Sequence, residues 1–357
     1  DKLDYPRAKL DIKLLLEESD HATIAEALSL NKGGRYDLVI VPPSLPQTKP
    51  KALNYALPTA RGELVVIYDA EDEPEPNQLR LAAETFAAAP DDLACVQARL
   101  NFYNSGENWL TRLFTLEYSL WFDHFLPALA RIGAPAPLGG TSNIFRIEAL
   151  IEAGGWDAHN VTEDADLGLR FARRGWRTAM ISSTTYEEAN CALPNWIRQR
   201  SRWMKGFMQT WLVHRRRAPS LADWRSVISV DLFIGGTVIA ALAAPLLWIA
   251  SLVELFGGAS ASAFLPAPAG EIATSALTLG NIALIGLGAI APLSRGMPQL
   301  SPWALFMPVY WLMMAWAAYV ALWQLATRPH YWEKTDHSLS AGAEARRRNA
   351  LRSLGFD

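Results

Sequence analysis

Three short groups of residues have the types and spacing to do chemistry. Asp69, Glu71 and Asp72 follow the apolar run at residues 64–68 (LVVIY). Carboxylates at the end of a buried strand in an open α/β sheet sit where such folds bind ligands. Their hard oxygens suit Mg2+ or Mn2+ shared with substrate phosphates. Glu73 and Glu75 extend the acidic run, so a solvated turn explains the same residues. Thr162-Glu163-Asp164 precedes a helical pattern. Thr162 suits an N-cap and the acids suit the positive helix end; the chemical reading is a carboxylate general base. Gln199-Arg200-Ser201-Arg202-Trp203 combines forked donors fit for a diphosphate with a flat indole face fit for a sugar ring. A basic helix lying at lipid headgroups explains it equally well.

The elements that must position these groups alternate through the first 200 residues, which predicts an α/β domain. Strands are expected at 10–16, 36–41, 64–68, 93–98, 178–181 and 184–187. Helices are expected at 21–30 (with Asp20 as N-cap), 51–57, 77–89, 109–130, 149–153, 164–174 and 196–214. The helix at 109–130 is rich in aromatic residues and reads as core, membrane surface or the border of an acceptor channel.

Behind this domain the composition changes. The chain of 357 residues is only 19% charged, against about 25% in soluble domains. The deficit is local: residues 226–327 carry only Asp231, Glu254, Glu271 and Arg295. Uncharged runs at 232–253, 272–294 and 303–326 each reach the roughly 20 apolar residues a membrane-spanning helix needs. Arginines 215–217 and 225 precede the first run, and 346–348 and 352 follow the last. The positive-inside rule puts both clusters in the cytoplasm, which three full crossings do not allow. Either the first run, which contains Pro245, is interfacial or re-entrant, the favoured expectation, or the rule does not hold for the tail. A net charge of −3 argues against nucleic acid as a partner. Cys95 and Cys191 are too few for a disulfide framework and read as reduced thiols. The chain opens at Asp1 without a signal-peptide pattern and reads as a partial or processed chain.

In this order the three groups resemble the DxD, TED and QxxRW motifs of the processive family-2 glycosyltransferases, which include bacterial cellulose synthase and hyaluronan synthase. Lys49-Pro50-Lys51-Ala52-Leu53-Asn54, Gly139-Gly140-Thr141-Ser142-Asn143 and Gly154-Gly155-Trp156-Asp157 are similar to further segments of that family. The resemblance implies an α/β GT-A (Rossmann-like, nucleotide-sugar-binding) domain at 1–215 lacking its first strand. A helical membrane region at 216–327 and a basic juxtamembrane tail at 328–357 would follow. It implies inverting transfer of a sugar, glucose first, from a UDP-sugar to a growing polysaccharide such as a β-glucan. A transferase making a glycolipid and a non-catalytic scaffold or export subunit are the alternatives.

The same resemblance assigns roles. Asp164, with Glu163 beside it, would be the base. Glu18, Lys51, Asn54, Asp69 and Arg202 would bind the donor, and Gly140, Thr141, Gln199, Arg200 and Trp203 the acceptor. Asp69, Glu71 and Asp72 would hold Mg2+ or Mn2+. Membrane lipids and an accessory export subunit would be partners, at a bacterial inner membrane with the catalytic domain in the cytoplasm. The chain departs from the family pattern at Glu17-Glu18-Ser19-Asp20, where an aspartate usually stands, and at Glu71 in the DxD. No FxVTxK gating sequence lies between the apolar runs. The Asn160-Val161-Thr162 sequon reads as coincidental, His124 and His159 as structural, and residues 331–335 as a juxtamembrane segment or interfacial anchor.

Overall fold

The computed structural model describes residues 2–31, 33–216, 224–257, 268–329, 331, 335–336 and 339–342. Arg217, residues 332–334 and the tail arginines 346–348 and 352 lie outside the described residues. The chain divides into two compact units. Unit 1 is Asp1–Arg99, Leu129–Thr185 and Pro219–Ser229; unit 2 is Leu100–Ala128, Tyr186–Ala218 and Val230–Asp357. Unit 2 takes in Leu100–Ala128 and Tyr186–Ala218 together with most of the charge-poor stretch at 226–327.

Unit 1 opens with β1 (Lys13–Glu17), α1 (His21–Leu30) and β2 (Asp37–Val41). Asp20 caps α1 as expected, accepting from the Thr23 backbone N–H at 3.1 Å. β1 and β2 pair in parallel, Lys13 opposite Asp37 through Glu17 opposite Val41. Then come α2 (Lys49–Ala56), β3 (Leu64–Val66), the two-residue β4 (Glu73–Pro74), α3 (Gln78–Ala88) and β5 (Leu93–Phe102).

α4 (Trp109–Leu120) starts at a capping box in which Asn108 and Thr111 bond each other's backbone N–H, both at 3.0 Å. The helix expected to run unbroken over 109–130 instead passes through a π-helical turn at Trp121–Phe125 before α5 (Leu126–Arg131). That wider turn carries Asp123, which is buried and held bidentately by Arg295 at 2.5 and 2.7 Å.

The remaining elements of this part are β6 (Asn143–Arg146), α6 (Ile147–Glu152), α7 (Glu163–Arg173) and β7 (Arg177–Glu187). β6 was not expected from sequence; it starts at Asn143, the last residue of the family-like segment Gly139–Asn143. β7 is one strand where two were expected, and the Gln78 side chain donates to its buried Ser183 and Thr185 hydroxyls at 3.2 and 3.0 Å.

The second sheet runs β3-β6-β5-β7-β4, with β6 antiparallel to both β3 and β5. Alternation along its strands builds two cores, as the period of two requires. Leu64, Val66 and Ile144 join Ala82 and Phe86 of α3. Val65 and Phe145 join Leu167 and Phe171 of α7 with Leu53 and Leu57. Burial on both sides explains why these strands read as continuous apolar runs.

After β7 come α8 (Leu193–Arg215), α9 (Trp224–Val227), α10 (Gly236–Leu255), α11 (Ala269–Ile290) and α12 (Met307–Thr327), all in unit 2 except α9, which lies in the Pro219–Ser229 piece of unit 1. Three helical stretches, Trp224–Glu254, Ala269–Arg295 and Pro298–Thr327, are long and apolar enough to cross a membrane. The first is continuous through Pro245 and thus as long as the others, which gives no support to the interfacial expectation. Met204 and Met208 of α8 pack against Val238, Ala318 and Ala321. Cys95 and Cys191 are both free thiols.

Candidate active site

The groups read from sequence fall into both units, and each is described within its own. In unit 1 the Asp69–Asp72 turn follows β3. The hydroxyl of Thr141 and the backbone N–H of Asp69 both donate to Asp72 Oδ2, the latter at 2.8 Å. Asp72 thus turns inward and shapes the loop. Its other oxygen is buried without a partner. Burial and the neighbouring charge of Asp69 push its carboxyl up to about 7.

Asp69 itself is 40% exposed and ion-paired with Lys49 at the start of α2. Lys49 Nζ also donates to the Gly140 carbonyl at 2.8 Å. Burial alone would lower this ammonium, but the charges of Asp69, Glu163 and Asp72 outweigh it and hold it above its usual range.

Gly140 lies against the Asp164 carboxylate, which would stand 3.5 Å from a Cβ placed there. Glu163 and Asp164 open α7, with Asp166 in the same turn, where the helix dipole favours acids. Burial is the main reason both lie above the usual carboxylate range, Asp164 at about 6 and Glu163 at about 8. The capping expected of Thr162 is not made. Its N–H and hydroxyl donate instead to Asn160 Oδ1 at 3.0 and 3.4 Å. Asn160 is 5% exposed, which disfavours the sequon further.

Other expected donor residues have different partners. Lys51 bonds Glu17 at 2.9 Å and the Pro42 carbonyl at 3.2 Å, tying α2 to β1 and β2. Asn54 grips the Trp156 backbone from both sides, accepting at 2.9 Å and donating at 2.6 Å. It packs so closely on Gly155, at φ +66°, that a Cβ there would overlap it. Glu18 is exposed just past the end of β1. The lysine that reaches the acidic turn is Lys49, which sequence reading passed over for Lys51. The two are two residues apart on one helix and so face different ways.

Unit 2 holds the third group, on α8. Arg200 is buried, ion-paired with Glu117 and bonded to the Tyr310 hydroxyl at 2.7 Å. Trp203 is half-buried, 28° off parallel to Tyr118 at 6.5 Å. Gln199 and Arg202 are half-buried. Gln199 lines a small cavity with Glu188, Asn190, Asp336 and Leu339.

Among the described residues no three acidic, histidine or cysteine side chains converge as a metal cage. The three carboxylates expected to ligate are therefore not gathered, because Asp72 is turned to Thr141. The set that remains fits a divalent ion shared with a ligand's phosphates, the usual Mg2+ arrangement. Asp69 is open to solvent, and Asp72 keeps one unpartnered oxygen.

The sequence profile of glycosyl transferase family group 2 matches residues 64–329. The chain belongs to this family. It is 35% identical over 148 residues to glucomannan 4-beta-mannosyltransferase 2 of Arabidopsis thaliana, covering 40% of this chain and 27% of that protein. It is 30% identical over 217 residues to beta-monoglucosyldiacylglycerol synthase of Trichormus variabilis, covering 59% and 45%. The chain thus spans less than half the length of these curated relatives. Among solved structures it is similar to a mannosyltransferase from Pyrobaculum calidifontis in complex with GDP-Man and Mn2+. The TM-score is 0.59 at 18% identity, over 91% of this chain and 80% of the other. The shared fold is the GT-A fold.

Proposed function

We propose that this glycosyltransferase is membrane-associated and inverting, and that it moves a hexose from a nucleoside-diphosphate sugar to a hydroxyl of a growing polysaccharide. The observation that carries the reading is the joining of the acidic turn to the helix start in unit 1. Lys49 bridges Asp69 and the Gly140 carbonyl, and Gly140 abuts Asp164.

In the step, an acceptor hydroxyl oxygen bonds to the anomeric carbon while the bond from that carbon to the diphosphate oxygen breaks. Asp164 takes the hydroxyl proton, and the nucleoside diphosphate leaves with the bonding pair. A carboxylate held above its usual range is a better base than a solvated one, and its pKa near the working pH suits proton transfer. The Lys49 ammonium provides fixed positive charge near the leaving diphosphate, the electrostatic contribution that is usually largest. Asp69 with Asp72 would hold Mg2+ or Mn2+, which when bound supplies further charge neutralisation there. Arg202 is assigned to the diphosphate, and Gln199 and Trp203 to the acceptor sugar. The apolar helices support a seat in a membrane, and we assign it to a bacterial inner membrane.

A second reading, transfer to a lipid, is favoured by the relative named as a diacylglycerol glycosylating enzyme, which matches the greater share of this chain. One experiment separates the readings. Membranes carrying the full chain are given labelled UDP-glucose and GDP-mannose, and the products are split into organic-soluble glycolipid and polymer. Polymer label that falls at least about 100-fold with Asp164→Asn supports the reading, that being the lower end of general-base contributions. Label confined to single-sugar lipid moves the assignment to the second reading. Equal incorporation by Asp164→Asn rejects the base.

A further inference from the structure

Helical spacing puts two sets of side chains on facing stripes within unit 2. Phe114, Glu117 and Tyr118 share one face of α4, and Trp196, Arg200 and Trp203 share one face of α8. Between them Glu117, Arg200 and Tyr310 form a closed triangle. Arg200 Nη2 donates to Glu117 Oε2 and, at 2.7 Å, to the Tyr310 hydroxyl oxygen; that hydroxyl donates to Glu117 Oε2 at 2.6 Å. Arg200 Nη1 donates to Glu117 Oε1 at 3.3 Å, so the carboxylate is gripped by both arms of the fork. The Arg200 side chain is 6% exposed and Tyr310 is 1% exposed. The guanidinium carbon stands 4.5 Å from the Trp203 ring centre and 4.3 Å from that of Phe114. A buried ion pair is weak support for stability by itself. Here its planar member also serves as the surface on which an indole rests.

We infer that Glu117, Arg200 and Tyr310 are positioning residues that set the orientation of the Trp203 indole, Arg200 acting through its stacked face and the other two through Arg200. This goes beyond the acceptor role assigned to Trp203 and rests on it for its functional meaning. It gives Arg200 a place behind Trp203 instead of a contact with the acceptor. It also gives α12 a part in the site, because Tyr310 belongs to that membrane-type helix. Lysine would not substitute: it keeps the charge but has neither the fork for Glu117 nor the plane for the indole.

The test reads Trp203 directly and needs no acceptor. The full chain is labelled with 5-fluorotryptophan in detergent micelles, and the Trp203 fluorine resonance is assigned by its loss in Trp203→Phe. Arg200→Lys, Glu117→Gln and Tyr310→Phe are then compared with the parent. The expected result is a Trp203 resonance that shifts and broadens in all three while most other tryptophan resonances hold, which also shows that the fold survives. Tyr310→Phe keeps volume and charge, so it reads the triangle even if Glu117→Gln fails to fold. A Trp203 resonance unchanged in Arg200→Lys and Tyr310→Phe overturns the inference. Failure of the acceptor role would appear elsewhere, as sugar incorporation undiminished in Trp203→Ala, and leaves the resonance result untouched.

Discussion

At the scale of single residues, the site depends on what burial does to its carboxylates. Asp164 must be ionised to accept a proton, and burial holds its carboxyl at about 6. The folded protein therefore favours the protonated acid between the ordinary carboxylate value and about 6. The base becomes available only as pH rises through that raised value. Activity is expected to climb from pH 5 to 7.5 with an apparent pKa near 6, read as kcat/KM for the donor across a constant-ionic-strength buffer series. Two neighbours, Glu163 and Asp72, titrate in the same range, so the measured value belongs to the cluster. A profile flat from pH 5 to 7.5 would sink the assignment of Asp164 as the base. Stability carries the same sign: each raised carboxyl stabilises the fold below its unfolded value and loses that contribution as pH rises through the folded one.

At the scale of elements, α7 sets where Asp164 stands, and its seat is tight. A Cβ on Gly168 would collide with the Ala136 carbonyl and meet Leu138 at 3.0 Å. In an isolated helix Gly→Ala gains about 1 kcal/mol, whereas overpacking a close contact costs about 1–3 kcal/mol. The Ala136 oxygen is backbone and cannot swing away, so the collision should win. Gly168→Ala is expected to lower the melting temperature despite its helix preference, and to lower kcat because α7 must slide to accommodate it. A raised melting temperature with unchanged kcat would show that the segment yields freely.

Much of this scaffold was legible beforehand. The expected bounds of α1 match its Asp20 cap, and β3, α3 and α7 fall close to where the apolar pattern puts them, because those signals are local. β6 was missed because Asn143-Ile144-Phe145-Arg146 is too short to show a period. The polar Ser183 and Thr185 within β7 gave no apolar signal, and the partner of their hydroxyls, Gln78, lies about a hundred residues away in sequence. Lys49 and Lys51 look alike until the helix phase is known, and only the fold shows that Lys49 pairs with Asp69 while Lys51 pairs with Glu17.

At the scale of the whole molecule, the charge-poor stretch begins at residue 226, and packing joins it to elements that precede it in the chain. The membrane-type helices share unit 2 with α4 and α8. Met204 and Met208 of α8 rest on Val238, Ala318 and Ala321. The buried Lys205 of α8 faces Gln324 at 3.4 Å, and Trp211 donates to Asp231 at 3.0 Å. Asp123, 2% exposed, is neutralised by Arg295 from beyond α11. A chain ending at residue 216 would keep α4 and α8 but lose every one of these partners. Stranding one member of a buried ion pair costs about 3–5 kcal/mol, and Asp123 would be stranded, while the Glu117–Arg200 pair would stay but lose the Tyr310 hydroxyl. Against a total stability of about 5–15 kcal/mol, that loss plus an uncovered apolar face exceeds what unit 2 can absorb. Residues 1–216 expressed alone are therefore expected to aggregate, or to bind a hydrophobic dye without a cooperative melt. The full chain in detergent should melt cooperatively. A monomeric, cooperatively melting 1–216 fragment that turns over donor would mean that composition, and not packing, marks the true division.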